Sequence, residues 1–158
     1  MKRLVCMAAI VLILVSATQA VAAISGKVAN AQIALEALEH VDENWGATEG
    51  TCKRFVQIIV NSLQPNLLGS GYRSAFTTAG EEITESDLQY GDIIQTYNPN
   101  STDDKKFEDV YHTAIFLSRS GTPGKYHVVD SNRVPPFGST VAIGEWDPFA
   151  HAAKYGHQ

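Results

Sequence analysis

The chain has 158 residues, with 12 Lys and Arg against 17 Asp and Glu, giving a formal charge of −5. That is the length of one ordinary domain, and an acidic chain without a basic stripe excludes a nucleic-acid binder, because phosphate contacts need clustered Lys and Arg. It holds two cysteines, Cys6 and Cys52, and the first lies in a segment expected to be removed.

Met1-Lys2-Arg3 opens the sequence, an apolar run extends from Leu4 to Val15, and Ser16 to Ala23 is rich in small residues. This layout describes a secretory signal peptide, and the apolar run is too short for a comfortable membrane span. Ala20, Ala22 and Ala23 each satisfy the small-residue rule, and cleavage after Ala22 is favoured. An uncleaved anchor is the alternative. The expected organisation is a leader over 1–22 and a single domain over 23–158, exported to a periplasm or the exterior, with no membrane contact once the leader is gone. Loss of Lys2 and Arg3 moves the formal charge to about −7. It also leaves Cys52 alone in an oxidising compartment, where no intramolecular disulfide can form. An odd exported cysteine points to a reactive thiol or an intermolecular bridge.

Residues Val28 to Val41 have a helical pattern, with Ile33, Ala37, Leu38 and Val41 on one side. A polar loop with Trp45-Gly46 follows, and then a second helix begins at Cys52. Phe55, Val56, Ile59, Val60 and Leu63 give it a buried face, Thr51 stands at its N-cap, and Pro65 marks its end. Cys52 thus occupies a first turn, where unpaired N–H groups and the helix dipole favour a thiolate. The competing reading makes it a small buried apolar residue. Pro65 to Gly80 reads as irregular, and Thr84 to Leu88 as a short helical turn. From Gly91 the texture turns strand-like: Ile93 to Tyr97, Tyr111 to Leu117, Tyr126 to Asn132 and Thr140 to Ile143. The charged loop Asn98 to Asp109 reads as a solvated face. Helices first and antiparallel strands afterwards predict an α+β domain.

Alternation puts His112, Ala114 and Phe116 on one face of their strand, and Tyr126, Val128 and Asp130 on one face of the next. A cysteine at a helix start, a histidine at a strand head and an acceptor on the neighbouring strand are the parts of a thiol-hydrolase triad. The imidazole takes the thiol proton, and the acceptor orients the ring. Cysteine needs that help because it is mostly protonated near neutral pH when unperturbed. His40, His151 and His157 lack ligand-like spacing, so neither metal nor cofactor is expected. His127 alternates away from Asp130 and reads as structural or surface. Trp146 and Phe149 read as core-closing residues, and Asp92 as serving its turn.

Trp45-Gly46, Cys52-x-x-Phe55-Val56, Gly91-Asp92-Ile93-Ile94, His112-Thr113-Ala114-Ile115-Phe116-Leu117 and Val128-Val129-Asp130-Ser131-Asn132 occur in an order and spacing that resemble the NlpC/P60 and CHAP cysteine peptidases. The resemblance spans nearly the whole mature chain. It implies a papain-like fold of the NlpC/P60 type, N-terminal helices packed on an antiparallel sheet, and hydrolysis of amide bonds in peptidoglycan peptides. By the same resemblance Cys52 is the nucleophile, His112 the base and Asp130 the orienting residue, with Asn132 two positions on as the substitute orienter. The backbone N–H of Cys52 is one oxyanion donor by position, and the Asn44 side chain is a candidate for another. Trp45 reads either as a wall of the substrate cleft or as packing. Three residues depart from the NlpC/P60 pattern: Lys53 stands where Ser is usual, Glu43 where a tyrosine is frequent, and Asp130 where His is frequent.

The expected function is an exported cysteine amidase or endopeptidase. Two rivals share the scaffold: an acyltransferase or transpeptidase passing the acyl group to an amine, and a catalytically inactive binding module. A protein inhibitor or immunity partner is a partner class left open.

Overall fold

The computed structural model describes residues 29–46, 51–97, 110–132 and 139–155. Helix α1 spans Asn30–Glu39, α2 Cys52–Leu63 and the short α3 Ser74–Ala79, followed by a 3-10 turn at Glu85–Asp87. The strands are β1 Ile93–Tyr97, β2 Val110–Arg119, β3 Tyr126–Asp130 and β4 Ala142–Trp146, and α4 closes the described chain at Pro148–Tyr155. The strands form one antiparallel sheet in the order β1-β2-β3-β4. The architecture is α+β, with helices set against an antiparallel sheet. Among the described residues no helix is long and apolar enough to cross a membrane.

Helix α2 is the centre of the larger core. Its apolar positions recur at helical spacing, so Phe55, Val56, Ile59 and Val60 are buried together. They meet Ile33, Ala34 and Ala37 of α1 and, from the sheet, Ile115 and Val129. Each such side chain contributes about 1.5–3 kcal/mol when fully buried. The opposite sheet face carries Ala114, Phe116, Tyr126, Val128 and Trp146 in a second cluster. Alternation along β2 therefore feeds two cores, Ile115 to one and Ala114 and Phe116 to the other.

A glycine joins α1 to the sheet. Gly91 has φ +91°, and a Cβ there would collide with the Asn30 backbone carbonyl. Beside it, the Asn30 side chain donates to Asp92 Oδ1, and Asp92 Oδ2 accepts from the Gln89 N–H at 2.6 Å. The turn role expected of Asp92 is what these bonds show.

Three expectations are corrected. The stretch from Pro65 to Gly80 contains α3, which is short because Gly80 ends it. The last strand starts at Ala142, since Thr140 is taken up by an isolated bridge to Asn44. Phe149 does not close the core: it is 54% exposed on α4, whereas Trp146 is buried. The leader, the Asn98 to Asp109 loop, Pro135-Pro136 and His157 lie outside the described residues.

Candidate active site

Cys52 is the first residue of α2 and is buried. Thr51 is extended at the N-cap, and its carbonyl accepts from the Phe55 N–H at 2.8 Å. The Thr51 side chain makes no capping bond, so it does not occupy the amides of the first turn. The helix thereby presents backbone N–H groups beside the sulfur, the arrangement that favours negative charge at a helix start.

His112 sits near the start of β2. The β1–β2 register shifts between Thr96, opposite His112, and Tyr97, opposite Val110. A bulge of this kind bends its strand and re-aims the adjoining side chain. His112 Nε2–H donates to Asp130 Oδ2 at 2.7 Å, with the two side chains 7% and 1% exposed. Cys52 lies near enough to His112 to raise its pKa, and Nδ1 is the ring nitrogen that Asp130 does not engage. The Trp146 indole packs edge-on against the imidazole, with centroids 4.9 Å apart. Helix, strand and neighbouring strand thus bring Cys52, His112 and Asp130 together in the order of a nucleophile, base and orienter.

Burial works against charge on His112 and pulls its pKa down. The hydrogen bonds with Asp130 and Cys52, and the negative charges of both, outweigh it and push the value up to about 9. The ring therefore holds its proton at neutral pH, between Cys52 and the Asp130 carboxylate.

The other predicted residues stand elsewhere. Asn132 lies past the end of β3, exposed and left-handed at φ 58°, so strand alternation no longer applies to it and it is not aligned with Asp130. Asn44 uses its Oδ1 to accept from the Gly46 N–H at 2.9 Å, while its backbone pairs with Thr140. Trp45 packs edge-on against Phe55 at 5.2 Å and donates its indole N–H to Glu43 at 2.9 Å. Of the two readings of Trp45, these contacts show packing. Glu43 also binds His40 at 2.7 Å, and the Trp45 and His40 hydrogen bonds hold its carboxyl below the ordinary range. His127 is exposed.

Three features of the site were not assigned to it from the sequence. Lys53, next to Cys52, is buried and donates to the Ser70 carbonyl at 2.8 Å. One and two turns on, Gln57 donates to the Gly69 carbonyl at 2.7 Å, and Asn61 exchanges bonds with the Leu68 backbone at 2.8 and 3.0 Å. This polar stripe laces the loop after α2 back along the helix and delivers Tyr72 beside the Cys52 end. The third is His151 of α4, whose ring lies 6.1 Å from that of His112 and 5.8 Å from Trp146. Its Nδ1 is 3.4 Å from Thr96 Oγ1, across β1 from His112. The i, i+4, i+8 spacing of Lys53, Gln57 and Asn61 was a readable signal. Nothing in the local sequence marks Tyr72.

No family model and no curated protein matches the chain. Among solved structures, the crystal structure of Ly7917 is similar in fold, with a TM-score of 0.51 at 10% sequence identity. The likeness covers 78% of this chain and 58% of that one, so the chain spans little more than half of that protein's length.

Proposed function

We propose that the protein is an exported cysteine hydrolase of papain-like fold that cleaves amide bonds, with peptidoglycan stem peptides as its substrate class. The observation that carries the chemistry is the buried His112–Asp130 hydrogen bond set beside Cys52 at the start of α2. The motif resemblance supports the substrate class, and the leader-like N-terminus supports export.

The Cys52 sulfur attacks the amide carbonyl carbon. A C–S bond forms, and the carbonyl electron pair moves onto oxygen, where the Cys52 N–H meets it. His112 then gives its proton to the leaving nitrogen as the C–N bond breaks. Water enters, His112 takes a proton from it, and the hydroxide displaces the sulfur from the acyl group. Asp130 keeps the ring oriented throughout and stabilises its charged form.

The test is iodoacetamide labelling of Cys52 as a function of pH, paired with a cell-wall digest. Wild type is expected to label rapidly well below the pH at which an ordinary thiol ionises. His112→Ala is expected to label more slowly by about 10-fold or more, and Cys52→Ala to lose hydrolysis altogether. Full hydrolytic activity in Cys52→Ala would overturn the mechanism.

A further inference from the structure

Resting on that reading, the geometry points to Tyr72 as a further catalytic residue, whose phenolic O–H donates a hydrogen bond to the oxygen of the substrate carbonyl as Cys52 attacks it. The laced loop fixes where this tyrosine stands. Lys53 Nζ holds the Ser70 carbonyl at 2.8 Å and lies 5.0 Å from the centre of the Tyr72 ring. From the sheet side, Gln95 Nε2 donates to the Tyr72 carbonyl and to Thr113 Oγ1, each at 3.2 Å. Thr113 directly follows His112, and Lys53 directly follows Cys52. The backbone of Tyr72 is therefore tied to the strand of the base, and its ring to the helix of the nucleophile.

The electrostatics agree with this placement. Tyr72 has its pKa raised, first by burial and then by the negative charge of Cys52. A phenol held in its neutral form keeps its proton to donate. Tyr72 is half-buried rather than sealed in the core, so its side chain can reach an incoming carbonyl. One donor from the α2 backbone and one from the loop after it would approach the oxygen from two directions.

The step to be read is acylation. When the sulfur attacks p-nitrophenyl acetate, the C–S bond forms and charge develops on the carbonyl oxygen. The C–O bond to p-nitrophenolate then breaks. Alkylation by iodoacetamide displaces iodide at a saturated carbon and develops no such charge, so it reports the thiol and the fold alone. Tyr72→Phe keeps the ring under Lys53 and removes only the hydroxyl. The expected result is a p-nitrophenolate burst slowed by about 10- to 100-fold, with the pH profile of iodoacetamide labelling unchanged. A burst at the wild-type rate would overturn the assignment of Tyr72 while leaving the hydrolase reading intact. Equal slowing of both reactions would overturn it too, by placing the effect on the thiol or the fold. A burst that survives in Cys52→Ala would overturn the hydrolase reading itself.

Discussion

His112 is held between Cys52 and Asp130 in a place where burial alone would strip its proton. Because its folded pKa is raised from 6.5 to about 9, protonation favours the folded state. That stability is fully present below about pH 6.5 and is lost as the pH rises through about 9. The midpoint of urea unfolding should therefore fall across this window. In Asp130→Asn, which removes the carboxylate charge but keeps an acceptor, the fall should be smaller and should be complete at lower pH. An unchanged profile in that variant would mean that the ion pair does not govern the folded state. The grouping of Cys52, His112 and Asp130 was readable because each sits where a simple periodicity holds: a helix start for Cys52, strand alternation for His112 and Asp130. Asn132 was misplaced by the same rule, since alternation ends where the backbone turns left-handed. Tyr72 was invisible for another reason: its position is set by bonds to backbone carbonyls, which carry no residue signature.

At the scale of elements, α2 has two faces with different tasks. Phe55, Val56, Ile59 and Val60 bind it into the core, while Lys53, Gln57 and Asn61 hold the following loop. Asn61→Ala removes both the donor to the Leu68 carbonyl and the acceptor for the Leu68 N–H, beside a buried leucine. The expected cost is about 2 kcal/mol in urea unfolding, together with faster proteolysis within the loop. Unchanged stability would show that the loop is held by other means. The helices α1 and α2 were legible from their apolar spacing. Helix α4 was passed over although its start carries a signal: the Asp147 side chain accepts from the Ala150 N–H at 2.7 Å, and Pro148 takes the first helical position. An apolar stripe of only two turns, with Phe149 exposed, gives periodicity little to register. His151, the α4 residue beside the His112 ring, was missed with it.

Across the whole molecule, the N-terminal helix and the sheet are joined where Asn30 lies over Gly91. A side chain at position 91 meets backbone on one side and an unfavourable φ on the other, so neither a rotamer change nor a small shift relieves it. Gly91→Ala is expected to lower stability by about 3 kcal/mol or more, measured by thermal or urea unfolding. The α+β class was legible because the change from helical to alternating texture falls at this glycine. The order of the sheet was not, since pairing depends on contacts between strands that no single segment contains.

The lacing of the loop onto α2 also sets how freely the two segments can change. The helix grips residues 69 and 70 by their carbonyl oxygens, and every amino acid supplies one of those. Gly69 has open space around the position of a Cβ, and Ser70 is exposed. Substitutions at these two positions leave the grip untouched, whereas Lys53 and Gln57 must keep the length and donors that reach it. Mutational tolerance in this region is therefore one-sided: the loop beside Cys52 can diversify its side chains, and with them the surface it offers, while the helix that holds it stays constant.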